Sequence, residues 1–176
     1  MFQEGWYVIY TASRMEKKLA NALQQAGFST YLPMIKEMRQ WSDRKRRVVV
    51  PLFRSYVFVH LSHDGEYLRA VQHKGASFFV KTKSGQPAIL FEKEIVQIKK
   101  IITSDFRYEV SNDKIPLGYL CRVKEGAMKG FIGESVQYHG KNLVVLRMEQ
   151  LGQHILVHIP ASQLESLESL SLNEGK

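Results

Sequence analysis

The chain has 176 residues, 44% hydrophobic and 24% charged, with 25 Lys and Arg against 17 Asp and Glu for a formal net charge of +8. That length buries the core of one medium domain or two small ones, and the balance excludes wholesale disorder. No apolar run approaches the roughly eighteen residues of a membrane span, and the start lacks the basic stretch of a signal peptide. One cysteine, Cys121, makes neither an internal disulfide nor a four-ligand zinc site, so the chain reads as cytoplasmic.

In chain order, the aromatic and β-branched run at 6–11 predicts a strand. Ser13 and Glu16 have the spacing of a capping box, and Leu19, Ala20, Leu23 and Ala26 recur at helical steps, so a helix is expected over 14–26, closed by Gly27. A strand follows at 29–33. Residues 34–40 and 45–50 read as the arms of a hairpin around 41–44, ended by Pro51, which cannot donate to a ladder. The strand at 55–61 is apolar on both faces, with Tyr56, Phe58 and His60 on one and Val57, Val59 and Leu61 on the other. A short helix is expected at 64–72, a strand at 77–82, and a helix at 92–103 with a stripe of Ile95, Ile98 and Ile102. Turn-rich residues without periodicity then predict a flexible linker at 105–117. Short β-rich runs at 119–124, 131–138, 142–149 and 154–159, punctuated by glycines, suggest a small SH3-like barrel, with a helical turn from Ala161.

The charge is unevenly placed. The first 104 residues hold 17 basic and 8 acidic side chains, whereas 121–176 hold six of each. A binding face concentrates charge in this way. Its sharpest feature is the hairpin, where Arg39, Arg44, Lys45, Arg46 and Arg47 surround Trp41. Guanidinium forks suit phosphate and an indole can stack on a base; guarding a free strand edge needs fewer cations. Arg14, Lys17 and Lys18 form a second basic group at a helix start, where an anionic ligand would offset their conflict with the helix dipole. Gly126, Gly130 and Gly133 lie between strands and read as turns rather than a phosphate cradle. His154 and His158 share a strand face without a third ligand. No P-loop, nucleophile elbow or zincin motif is present; neither enzymatic activity nor a cofactor or metal is expected.

Three segments carry a resemblance: GWYVIY at 5–10, TYLP at 30–33 and PLFRSYVFV at 51–59 resemble the NusG N-terminal (NGN) domain. CRVKEG at 121–126 with KGFIG at 129–133 resembles a KOW motif. RQWSDRK at 39–45 and ILVHIP at 155–160 look most like the specialised UpxY paralogues, operon-specific antitermination factors for surface polysaccharide genes, related in role to RfaH. The implied fold is α+β: an NGN domain over 1–104, built as an antiparallel four-stranded sheet flanked by helices with a protruding β-hairpin. The linker at 105–117, a KOW barrel over 118–168 and a frayed tail at 169–176 complete it.

The resemblance implies a protein that docks an apolar pocket on the clamp helices of the largest RNA polymerase subunit, bridges to the opposite lobe and suppresses pausing. Carried over, the pocket falls on Tyr10, Phe53, Tyr56 and Phe58, and the opposite-lobe contact near Glu66 and Arg69. Non-template DNA would meet Arg14, Lys17, Lys18 and Lys74; upstream DNA would meet the hairpin cations. Gly126 and Gly133 would be KOW turn glycines. A small-subunit ribosomal protein is a further KOW partner in relatives, no membrane is expected, and the chain is expected to be a monomer. Two departures stand out. Arg54-Ser55 replaces the family's usual Pro-Gly or Pro-Asn, and Leu151-Gly152-Gln153 replaces the aromatic-Gly-Arg loop that helps recruit termination factor Rho, so Rho binding is not expected. The alternative, a ribosome-associated KOW-type RNA-binding protein, sits poorly with a C-terminal part of zero net charge. A nucleic-acid-modifying enzyme would need a nucleophile, metal cluster or acid–base pair that the sequence does not offer.

Overall fold

A computed structural model describes residues 2–40 and 45–167. Contacts divide the chain into two compact units, residues 1–95 and 96–176. The first contains β1 (Gly5–Thr11), α1 (Glu16–Gln25), β2 (Ser29–Tyr31), β3 (Met34–Gln40), β4 (Lys45–Pro51), β5 (Tyr56–Leu61), α2 (Asp64–Val71), β6 (Ala76–Phe79) and β7 (Ile89–Leu90). The helix α3 (Glu92–Thr103) runs across the division.

The main sheet has the order β2-β5-β1-β6, all antiparallel, and β7 adds a short fifth strand beside β1. Period-two alternation does the sorting. Pairing sets Trp6 opposite His60, Val8 opposite Phe58 and Tyr10 opposite Tyr56 on one face; Tyr7 opposite Val59 and Ile9 opposite Val57 lie on the other. That second face packs with Leu19, Ala20 and Leu23 of α1, Phe28, Ala70 of α2 and Phe79 of β6 into one buried cluster. Each large apolar side chain buried there contributes about 1.5–3 kcal/mol. The strand β5 is therefore central, with helices over one face, while on the other face Val8 and Phe58 are also fully buried.

Two local expectations fail. No capping box forms: α1 begins at Glu16, its N-cap Met15 makes no side-chain cap bond, and the Glu16 carboxylate turns inward instead. In α3, Ile95, Ile98 and Ile101 are fully buried while Ile102 is only half-buried, so the stripe turns at three-residue steps rather than drifting to 102. The predicted hairpin is a separate two-stranded ladder, paired from Met34↔Pro51 to Gln40↔Lys45.

The second unit holds β8 (Tyr108–Ser111), β9 (Tyr119–Val123), β10 (Ile132–Tyr138), β11 (Lys141–Met148), β12 (Gln153–Val157) and β13 (Leu164–Ser166). Short 3-10 turns fall at Glu149–Leu151 and Ala161–Gln163. Its antiparallel order is β13-β9-β10-β11-β12-β8. Among the described residues no pairing joins β13 to β8, so the observed arrangement is an open six-stranded run where a closed barrel is expected. The strand β8 lies inside the segment read as linker, paired to β12 from His154↔Ser111 to Val157↔Tyr108. Four residues without clear alternation gave no sequence signal; an open edge on β12 supplies the partner. Gly126 and Gly130 do have the left-handed backbone of turn residues (φ +77° and +78°). Gly133 does not: it lies within β10, and a Cβ there would sit 2.5 Å from Val144 Cγ1, so it is needed for close packing rather than for a turn. The tail at 169–176 lies outside the described residues.

Candidate binding surfaces

The sheet face opposite α1 and α2 carries aromatic rings, some buried and some exposed. Phe53 and Phe58 are its buried rings, 1% and 0% exposed, with ring centroids 5.8 Å apart and edge to face. Tyr10 and Tyr56, paired across β1 and β5 next to the Val8–Phe58 pair, have centroids 6.0 Å apart. Burial and the neighbouring Tyr10 raise the Tyr56 phenol above its ordinary pKa, so it stays protonated. Phe78 of β6 completes the surface: it pairs with Tyr10, stacks on it at 5.0 Å with rings 7° from parallel, and is 54% exposed. Of the four predicted pocket residues, the structure thus places Tyr10 and Tyr56 at the surface and Phe53 and Phe58 in the core. Phe78 was missed, although two adjacent phenylalanines on one strand must point to opposite faces; Phe79 is the buried one.

The surface ends at a tight turn. Ser55 adopts φ +63°, left-handed and unusual for a residue with a side chain. Its carbonyl accepts from Thr11 N–H at 2.9 Å, and its own N–H donates to Glu16 Oε1 at 2.9 Å. The departure at Arg54-Ser55 is therefore accommodated by a backbone that glycine or asparagine would adopt more easily.

The residues carried over for a second contact have local tasks. Glu66 accepts from Ser62 N–H at 2.7 Å at the start of α2, and this bond, with lesser help from His63 and Arg69, holds its carboxyl below the ordinary range. The Arg69 guanidinium lies 5.3 Å from the Phe28 ring centroid, a cation–π contact. Between them Leu68 is 66% exposed, the apolar residue of α2 that faces water.

Among the cations, Lys45, Arg46 and Arg47 are exposed on β4, opposite Gln40, Arg39 and Met38. Neighbouring side chains on a strand point to opposite faces, so the run presents charge on both sides of the hairpin. Trp41 and Arg44 lie outside the described residues, as does the side chain of Arg39. Arg14, with φ +66°, and Lys17 and Lys18 are exposed at the start of α1; Lys74 is exposed between α2 and β6.

In the second unit, Arg147 and Glu134 form a bidentate pair, Nε to Oε2 at 2.5 Å and Nη2 to Oε1 at 2.9 Å. The same guanidinium donates to the Ile115 and Pro116 carbonyls at 3.2 and 2.6 Å, and Glu134 accepts from Gly118 N–H, so the pair fastens 115–118 to β10 and β11. The Arg147 bond holds the Glu134 carboxyl below its usual range. Ile115 is buried with Val136, Leu143, Val145 and Leu156. His154, beside Arg147, has its pKa lowered by burial first and by that guanidinium second. No group of three or more His, Cys, Asp and Glu able to hold a metal occurs among the described residues. No helix there is long and apolar enough to cross a membrane.

The first unit thus combines an exposed aromatic face on a helix-backed sheet with a hairpin that carries exposed cations. The family model described as "Transcription termination factor nusG" matches residues 4–99, more than half of the chain, and the chain belongs to the NusG family of non-enzymatic transcription elongation factors. Among solved structures it is similar to NusG of Thermotoga maritima, with 19% identity and a TM-score of 0.48, covering 94% of this chain and 98% of that one. It is also similar to the MjSpt4:Spt5 complex in two conformations, each with 13% identity and 92% of this chain covered. TM-scores are 0.32 and 0.34, with 97% and 96% of those chains covered. No curated protein matches.

Proposed function

We propose that this protein binds the clamp helices of RNA polymerase through Tyr10, Tyr56 and Phe78 and suppresses pausing and termination, as an operon-specific antitermination factor for surface polysaccharide genes. The observation that carries the reading is the exposed Tyr10–Phe78 stack. A solvent-facing aromatic pair held by its own stacking is pre-organised to take the apolar ridge of a helix, with little side-chain entropy left to lose. Exposed Leu68 on α2 suits a contact with the opposite lobe better than Glu66 or Arg69, whose groups hold local structure. Polymerase binding then presents Arg14, Lys17, Lys18 and Lys74 to non-template DNA and the hairpin cations, Arg39 and Arg44 to Arg47 with Trp41, to upstream DNA. No bond is made or broken; binding shifts a conformational equilibrium of the polymerase.

The second unit, read as a KOW domain whose six strands form an open run, faces proteins rather than nucleic acid, in keeping with its balanced charge. Rho recruitment is absent in this reading: Leu151 is buried and the loop Leu151-Gly152-Gln153 offers neither ring nor charge. A small-subunit ribosomal protein is the remaining candidate partner for this unit. The test is co-purification from the native cell on a tagged chain. Polymerase subunits without Rho support the proposal; ribosomal subunits without polymerase refute it, and tight Rho binding refutes the antiterminating role.

A further inference from the structure

We infer that Glu16 is a positioning residue for the aromatic surface, its buried carboxylate pinning the left-handed turn at Ser55 and thereby setting Tyr56 against Tyr10; the binding consequence rests on the function proposed above. Glu16 is 6% exposed although it opens a helix, where a carboxylate ordinarily faces water or caps its own first turn. A buried carboxylate is costly unless hydrogen-bonded, and the bond this one makes crosses 39 positions to the Ser55 N–H. Ser55 immediately precedes Tyr56, whose partner Tyr10 is the last residue of the β1–β5 ladder. Beyond that pair the two strands are held by the Thr11 N–H to Ser55 carbonyl bond at 2.9 Å. The turn that aims Tyr56 is thus fixed from both sides, by Thr11 on the carbonyl and by Glu16 on the amide. Only the second bond comes from a side chain, and it counters the tendency of serine to leave φ +63°. A pinned turn also presets the geometry onto which Phe78 stacks, because Tyr10 contacts both Tyr56 and Phe78.

The test has one readout in the free protein and one with polymerase. In Glu16→Ala, hydrogen exchange at the Ser55 amide is expected to accelerate by about ten-fold or more, the loss of one charge-assisted bond. The ring resonances of Tyr10, Tyr56 and Phe78 should move in carbon–proton NMR spectra, and polymerase binding should weaken by about ten-fold. Glu16→Gln keeps an acceptor, so its rings should stay near their original shifts while Ser55 exchange rises a few-fold. Leu23→Ala, a core truncation, should lower the melting temperature without moving those rings. Unmoved rings in Glu16→Ala, or rings moved as far by Leu23→Ala, overturn the inference. So does undiminished binding once the rings have moved. Where Glu16→Ala does not fold, unchanged Ser55 exchange in Glu16→Gln overturns it. Moved rings with no polymerase binding by the unsubstituted protein leave the positioning role standing and refute the proposed function instead.

Discussion

Replacing Phe78 by alanine separates a binding surface from a core. The ring is 54% exposed, and an aromatic side chain offers 150–250 Å² in all, so about 100 Å² faces water in the free protein. Covering that area against a partner at ~25 cal/mol per Å² is worth about 2.5 kcal/mol, or roughly 60-fold in Kd. The free protein forfeits only the stack on Tyr10, about 0.5–1.5 kcal/mol. Phe58 behaves oppositely: because it is fully buried, its truncation costs about 3–5 kcal/mol of stability and removes binding only by unfolding the unit. Anisotropy titration of labelled protein with RNA polymerase, paired with calorimetric melting, reads both quantities. Phe78→Ala should lose most of its affinity while its melting temperature falls by about 2–10 °C, far less than for Phe58→Ala. Affinity equal to that of the unsubstituted protein refutes the assignment of this face.

The hairpin and the second unit give further tests. Replacing Lys45, Arg46 and Arg47 together by alanine should leave melting unchanged and flatten the slope of log K against log salt for DNA binding by about three; an unchanged slope means the hairpin meets no phosphate. The Glu134 carboxyl is lowered, so its pair with Arg147 stabilises the fold fully above the ordinary carboxylate value of 4.5 and the contribution fades as pH falls through the lowered value. Glu134→Gln should therefore be less stable at neutral pH and lose less on acidification, as followed by denaturant melts from pH 7 to 3. His154 is also lowered, so stability falls as pH drops below the ordinary value of 6.5, where the unfolded chain takes up a proton that the folded one resists. His154→Gln should remove that part of the slope between pH 7 and 5, and an unaltered slope assigns the effect elsewhere.

Where one period governs a segment, the sequence was enough. The alternation of 56–61 assigned both faces of β5, the leucines of α1 marked the packed side, and the hairpin arms fell in register around 41–44. What escaped depends on contacts distant in sequence. Glu16 matched a local capping pattern, and only the fold brings Ser55 within its reach. Gly133 shares a motif with two turn glycines, yet the packing of Val144 against β10 decides its role. The strand β8 exists because the edge of β12 is free, which no local pattern in 108–111 reveals. Phe53 and Phe58 carried the same family pattern as Tyr10 and Tyr56; burial is a property of the assembled sheet. Phe78 is the exception, since the adjacent pair Phe78-Phe79 already required one outward ring.

The most direct measurement is the half-life of a defined pause in transcription by purified RNA polymerase, on a template carrying the DNA upstream of this protein's own gene. The unsubstituted protein is expected to shorten the pause and raise read-through of the following terminator, while Phe78→Ala at the same concentration leaves both at the value for polymerase alone. A pause that is unchanged or prolonged by the unsubstituted protein contradicts the proposed function. Shortening by Phe78→Ala as great as by the unsubstituted protein contradicts the aromatic surface as its cause.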